Sequence, residues 1–382
     1  MSWYFLHACD LQPGSHRSFR CNPRYIENGQ TAYRQLQQMS DADLLLVGGD
    51  LTRDGSIHDF ELEEAKEHLD ALPYPHYAIP GNMDSGNKRA PGPGGTGRDD
   101  PALMMESSQL DNFSRYFGEM PWSLVHKDVR FSGFYAAVAG SGFPHEERMW
   151  NWLERILPSL PPTVHHVMTM HYMLFFDQPD EPTWDLTRAE EYHKWYFTID
   201  EPHRSRIFEA FKKANVEIVL SGHIHVRRPE QVVDGIRFYR AAGIAMPQMP
   251  DAWPNADSRL GFYRFDVDAD GIRDTFIPLQ HESTAAGSYG LGGHPPADTR
   301  DYSIALEKPP EHFLTGKTWR GGGASSNGSE RRATGSVALP RDHPSGYTSC
   351  RSTLSPSSMK AVSNFTTAST SLRCTSSMDV CT

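Results

Sequence analysis

Leu44 to Val47 form an unbroken apolar run that ends in Gly48, Gly49 and Asp50. Such a run, bounded by turn residues, predicts a central strand buried on both faces. It delivers Asp50 to the strand's carboxyl end, where ligands of open α/β sheets sit. Four other stretches end in the same way. Trp3 to Asp10 is an apolar strand ending in Asp10, with Gln12 just beyond. His76 to Asp84 (HYAIPGNMD) is strand, tight turn and polar residues. Val164 to Met170 delivers His171, and Val216 to His225 (VEIVLSGHIH) ends in His223 and His225.

Helical spacing of apolar residues alternates with these strands. Asn28–Met39, Asp59–Leu72, Glu146–Leu157 and Ser205–Ala214 are expected helices, and Asp111–Phe117 a short one. Tyr135–Ala139 is expected to be a strand leading into GSGF. This βαβ order predicts an α/β fold with a mostly parallel sheet covered by helices. Beyond His225 the pattern turns antiparallel. Asp234-Gly235 and Asp270-Gly271 sit between alternating strands and predict two hairpins. The second also imitates the start of a calcium loop (Asp266 to Gly271), but its twelfth position is Ile277, so the hairpin is preferred.

Two stretches resist this reading. Ser85–Asp100 is rich in Gly, Pro and charge and is expected to be a long loop. Phe175–Pro202 is an aromatic and acidic insertion of unpredicted path. Both leave strand ends that carry candidate ligands, so both should border the mouth of a site. Trp184, Tyr192, Trp195 and Tyr196 in the second are expected to form a satellite cluster, with a lid or base-stacking wall as the alternative.

Composition sets the boundaries. The 382 residues carry a formal net charge of -11, and residues 1–282 alone hold 27 basic against 41 acidic side chains. An acidic body argues against a nucleic-acid platform working by counter-ion release. It permits a phosphate substrate if metal cations supply the local positive charge. Five cysteines, three of them in the tail, give no disulfide framework. No apolar stretch reaches membrane-spanning length and the amino terminus carries no leader pattern, so no membrane association and a cytoplasmic location are expected. Residues 1–282 are expected to form one domain and 283–320 a poorly defined extension. Residues 321–382, with 23 Ser/Thr among 62 positions, are expected to be disordered. The acceptor patterns at Asn327 and Asn364 fall in that tail and are taken as chance matches.

The strand ends together offer carboxylate oxygen, amide oxygen and imidazole nitrogen: Asp10, Gln12, Asp50, Asn82, His171, His223 and His225. This donor mixture suits Mn, Fe, Zn or Ni rather than an all-oxygen calcium site. His223 and His225 lie at i and i+2, which in an extended segment points both rings the same way. Seven ligands with one shared carboxylate can hold two ions about 3.5–4 Å apart, and Asp50 is the natural bridge. His7, His165 and His166 lie within strands and are expected to be packed or surface residues.

The ordered set DLQ, GGD, GNMD, a His after an apolar strand, and GHIH resembles the calcineurin-like metallophosphoesterases over roughly residues 3–280. The resemblance implies a four-layer αββα sandwich of two mixed sheets flanked by helices, with a binuclear site between their carboxyl ends. It implies that Asp10, Gln12, Asp50 and His225 hold one ion, and Asp50, Asn82, His171 and His223 the other. The implied reaction is metal-dependent phosphoester hydrolysis, a metal-bridging hydroxide attacking phosphorus in line. A phosphodiesterase is favoured. The alternatives are a phosphomonoesterase for a phosphoprotein or small metabolite, and a non-catalytic module stapled by its metals.

Two positions depart from the commonest family pattern. Gln12 stands where a His ligand is usual; its neutral, harder oxygen favours Mn or Mg at that site over Zn. Met83 stands where the family often has a proton-donating His. General acid catalysis contributes about 10²–10⁴-fold, so slow turnover biased to activated diesters is expected, unless Asp84 or a group of the Ser85–Asp100 loop acts as donor. Arg53, close after the bridging Asp50, is a candidate phosphate contact, with a surface salt bridge as the alternative. Tyr172 is a candidate pocket residue, with plain packing as its alternative.

Overall fold

The computed structural model describes residues 2–18, 21–90, 103–247, 253 and 255–285. The expected extension beyond 285, the Ser/Thr-rich tail and most of the Ser85–Asp100 loop lie outside these residues.

One sheet has the order β11-β10-β1-β2-β3. Its members are β1 (Trp3–Ala8), β2 (Leu45–Val47), β3 (His76–Ala78), β10 (Gly261–Asp268) and β11 (Gly271–Pro278). β1, β2 and β3 run parallel, while β10 pairs antiparallel with β1 and β11. The second sheet has the order β4-β5-β6-β7-β9-β8. It comprises β4 (Trp122–His126), β5 (Val129–Gly133), β6 (His165–Thr169), β7 (Ile218–Ser221), β8 (Arg228–Val233) and β9 (Ile236–Arg240). Both sheets are mixed: the first carries one antiparallel hairpin, β10–β11, at its edge, and the second carries one at each edge, β4–β5 and β8–β9.

Strand alternation builds the layers. Phe5, Leu46, Phe131, Val167, Leu220 and Phe265 fill the space between the sheets. The Phe5 ring stacks on Phe265 and meets Phe131 edge-on, both at 4.9 Å between centroids. Leu6, Leu45 and Val47 point the other way, against α1 (Pro23–Gln38) and α2 (Asp59–Asp70). The outer face of the second sheet packs Met168, Val219 and Phe238 against Met149, Trp150, Leu153, Ile207 and Phe211. Those side chains come from a helical stretch beginning with α5 (Pro144–Asn151) and from α8 (His203–Lys213). Each fully buried aromatic or aliphatic side chain contributes roughly 1.5–3 kcal/mol. The result is the four-layer αββα sandwich.

Several boundaries differ from expectation. α1 begins at Pro23 because Asn22 caps it, its side chain accepting from Arg24 N–H at 3.1 Å, and Pro suits the first turn. The expected strand Tyr135–Ala139 is instead a single 3₁₀ turn, Ala136–Val138. The strand lies earlier, in β5, paired to β4 through a turn in which Lys127 and Asp128 have positive φ without any glycine. That hairpin carries no turn signature, so the sequence hid it. The helix from Pro144 widens to a π turn over Trp152–Ile156 and closes with α6 (Leu157–Ser159). In the second hairpin Asp268 faces Gly271, so the loop is Ala269–Asp270, one residue earlier than expected. The Asp234-Gly235 turn joins β8 to β9, with φ of 50° and 82°.

The two insertions leave the same end of the sandwich. The first begins with α3 (Asn82–Ser85) and is followed by α4 (Ser107–Phe117). The second contains α7 (Ala189–Phe197). Lys88 of the first insertion donates hydrogen bonds to the carbonyls of Trp195 and Thr198 at the end of α7. No helix among the described residues is long and apolar enough to cross a membrane.

Candidate metal centre

All seven expected ligands are buried, none more than 5 % exposed. The ligand atoms of Asp50, His171 and His223 lie within 4.8 Å of one another, and so do those of Asp10, Asp50 and His225. Asp50 belongs to both groups. His171 Nε2 is 3.4 Å from Asp50 Oδ1, and His225 Nε2 is 3.4 Å from Asp10 Oδ1. Gln12 and Asn82 join from either side. Gln12 Nε2 is hydrogen-bonded to Asp50 Oδ2 and lies 3.5 Å from His225 Nε2, while Asn82 Oδ1 lies 3.2 Å from His171 Nε2.

The backbone is bent to achieve this. Asp10, Gln12, Asp50, His223 and His225 have φ of 52°, 32°, 52°, 70° and 54°, in the left-handed region that costs a side chain of order 1–3 kcal/mol. The two histidines therefore do not converge by strand alternation. β7 ends at Ser221, and each ring is turned inward by its own left-handed residue. His223 joins one group and His225 the other.

Main-chain carbonyls orient the rings. Gly48 O lies 2.9 Å from His171 Nδ1 and Met246 O 3.1 Å from His225 Nδ1, so both rings present Nε2. Tyr196 O is 3.3 Å from His223 Nε2, so that ring presents Nδ1. Such outer partners fix the tautomer of a ligating imidazole. The Asn82 amide is steered by its nitrogen, which donates to Asn87 Oδ1 at 2.9 Å and leaves the oxygen facing His171. Asp10 accepts from His223 N–H with both oxygens at 3.1 Å, and Cys9 Sγ donates to its Oδ2 at 2.9 Å.

Electrostatics fit cation binding. Burial, partly offset by His225 and His171, holds the Asp10 carboxyl above its usual range. Burial acts against the His171 imidazolium, yet Asp50 and Asp10 outweigh it and lift the ring to about 9. Burial, then the neighbouring His171 and His225, push His223 far down and keep it neutral. Two anions facing three rings in a dry pocket make a strong demand for positive charge. The Gln12 amide adds a pointed observation. Its Oε1 is buried with no hydrogen-bond partner among the described residues, and a half-turn of the amide would set that oxygen where Nε2 now meets Asp50 and His225. Oxygen beside carboxylate and imidazole is a cation's donor set, and the residues present fit a pair of divalent ions.

Asp84 follows the candidate ligand Asn82 on α3. Its carboxylate is fully buried and accepts from Leu51 N–H (3.1 Å), Thr52 N–H (2.9 Å), Thr52 Oγ1 (2.6 Å) and Gly81 N–H (2.8 Å). It ties the Asp50 loop to α3. Burial and then the Asp50 charge push it up to about 7, against four donated hydrogen bonds that favour the ionised form. Met83 turns its sulfur to Asn82 Nδ2 at 3.4 Å, while its N–H donates to Asp50 Oδ1 at 2.8 Å. Arg53 is buried, its guanidinium 4.7 Å over the Tyr25 ring. Tyr172 is fully buried beneath His223, with ring centroids 4.2 Å apart, and its oxygen accepts from Lys88 N–H at 3.4 Å.

Sequence reading overlooked Cys9, Asn87, Lys88 and the carbonyls of Gly48, Tyr196 and Met246. Asn87 had a signal, a second asparagine five residues after Asn82. The carbonyls had none, since any residue supplies one.

Residues 5–227 match the family model of calcineurin-like phosphoesterases. A serine/threonine-protein phosphatase CPPED1 of Danio rerio is 26% identical over 243 residues, which are 58% of this chain and 70% of that protein. A purple acid phosphatase from yellow lupin (Lupinus luteus) seeds shares the fold with a TM-score of 0.51 at 13% identity, over 74% of this chain and 52% of that one. A dimetal phosphatase from Danio rerio aligns with a TM-score of 0.43 at 11% identity, over 73% of this chain and 99% of the other. With its sandwich, its strand-end ligands and a family match over more than half its length, this chain belongs to the calcineurin-like phosphoesterases, a family of metal-dependent phosphoester hydrolases.

Proposed function

We propose that this chain hydrolyses phosphoesters with two divalent ions, held by Asp10, Gln12, Asp50 and His225 on one side and by Asp50, Asn82, His171 and His223 on the other. The observation that carries the reading is the pair of buried ligand groups sharing Asp50. Divalent ions bound there supply Lewis acidity toward a phosphoryl oxygen and an activated water for in-line displacement. The chain's own residues do the rest. Asp50 is held between the two groups by the N–H of Met83. Gly48 O, Met246 O and Tyr196 O keep the three imidazoles aimed inward. The burial of all seven residues keeps bulk water from screening their charges.

Mn is favoured at the Gln12 side, with Mn, Fe, Zn or Ni suited to the imidazole side. The preferred substrates are phosphodiesters with good leaving groups, because Met83 offers no proton. A monoesterase is the second reading, favoured by the relative from Danio rerio, which is described as a serine/threonine-protein phosphatase. The test loads the protein with Mn and assays a bis-aryl and a mono-aryl phosphate, for wild type and Asp50→Asn. Diester turnover that vanishes in Asp50→Asn is expected. Two bound ions with no turnover of either ester would leave only a metal-stapled binding module.

A further inference from the structure

Met83 removes a donor from the Asn82 side of the site, but a phenol approaches the same place from the second insertion. Tyr196, one residue from the end of α7, lays its ring on His223 with centroids 5.2 Å apart and planes at 36°. Its hydroxyl donates to Asn87 Oδ1 at 3.3 Å. That oxygen also receives Asn82 Nδ2 at 2.9 Å, and the same Nδ2 lies 3.4 Å from the sulfur of Met83. The thioether thus touches the Asn82 amide directly, and the hydroxyl reaches it through Asn87 Oδ1, on which amide and hydroxyl converge.

The main chain at this point is pinned on every side. Tyr196 O lies 3.3 Å from His223 Nε2, and Lys88 Nζ holds the carbonyls of Trp195 and Thr198 around it. Trp195 and Phe197 are buried, whereas Tyr196 keeps part of its surface open. A phenol hydroxyl turns freely about its C–O bond. When it turns from Asn87 to another acceptor, Asn87 Oδ1 retains the hydrogen bond from Asn82.

We propose that the Tyr196 hydroxyl donates a hydrogen bond to the leaving-group oxygen of the phosphoester as the P–O bond breaks. Tyr196 takes over part of the task that Met83 cannot perform. The inference rests on the hydrolase reading above and widens its substrate range, since it admits esters of ordinary alcohols beside those with good leaving groups. A donor aimed at developing oxyanion charge is worth about 10²-fold in rate. The gain is largest for an alkoxide, whose charge stays on oxygen, and smallest for a nitrophenolate, whose ring disperses it.

The experiment compares wild type with Tyr196→Phe, both Mn-loaded, on phosphoesters running from nitrophenyl to alkyl leaving groups. Metal content is measured on the same samples. Phenylalanine keeps the ring on His223 and removes only the hydroxyl. The alkyl ester should slow about 10²-fold in the variant and the nitrophenyl ester much less, with metal content retained. An equal loss across the series, a fall in metal content, or no loss at all would overturn the proposal and leave Tyr196 as packing for His223. A wild type that cleaves no ester would remove the hydrolase reading together with it.

Discussion

Gly81 and Asp50 are in such close contact that a Cβ on the glycine would stand 2.0 Å from Asp50 Oδ1 and 2.3 Å from Asp50 N. The shared carboxylate is thus seated against bare backbone. Gly81→Ala must displace Asp50 or open the turn before α3. Overpacking of this kind costs about 1–3 kcal/mol, and the displaced atom is the one both ligand groups use. The variant should bind fewer than two ions by elemental analysis, and its thermal midpoint in EDTA should also fall.

Asp84 gives a second prediction, because its four accepted hydrogen bonds make it a strut. Asp84→Asn keeps the shape but turns one acceptor into a donor facing main-chain N–H groups. A buried mismatch costs about 1–3 kcal/mol. Stability and metal affinity should drop together, with rate losses equal for good and poor leaving groups. A loss confined to poor leaving groups would restore Asp84 as a proton donor.

Gln12 gives a third prediction, about metal preference. Replacing its amide with imidazole in Gln12→His should tighten Zn relative to Mn, read by competition titration of the apo-protein. If wild type already takes Zn at both sites more tightly than the variant, the hardness argument fails.

How far the sequence carried depended on the kind of signal. The Leu44–Val47 run, the alternating apolar faces and the Asp234-Gly235 turn are written in side chains, and they predict an α/β fold with a mostly parallel sheet; the division into two mixed sheets was implied only by the family resemblance. The β4–β5 hairpin was illegible because Lys127 and Asp128 adopt left-handed backbone that neither residue advertises. The seven candidate ligands were legible as polar residues at strand ends. Their manner of convergence was not, since an i, i+2 pair suggests an extended strand and the histidines sit instead on left-handed turns. The second insertion stayed opaque because its helix answers to Lys88, a residue about a hundred positions away.

His7 supplies a prediction about pH. It lies fully buried in β1, both ring nitrogens without a hydrogen-bond partner among the described residues, and burial pushes it down to about 3. In the unfolded chain it titrates near 6.5. Between those values the unfolded state binds the extra proton, so stability is complete above about pH 6.5 and declines as pH falls. In EDTA, wild type should lose about 1.4 kcal/mol per pH unit relative to His7→Leu over that window. Comparing the two chains cancels the carboxylates they share. Parallel stability curves for the two would show that His7 is solvated in the folded state.

Lys88 reaches from one insertion to close the end of a helix in the other, and that helix touches His223 through Tyr196. The two excursions therefore behave as one interchangeable part rather than two. Anyone grafting a new specificity onto this sandwich would have to transplant both segments with the lysine between them, because a foreign version of either alone would loosen the grip on the imidazole. Divergence among relatives faces the same bargain, and their two inserts should change length in concert.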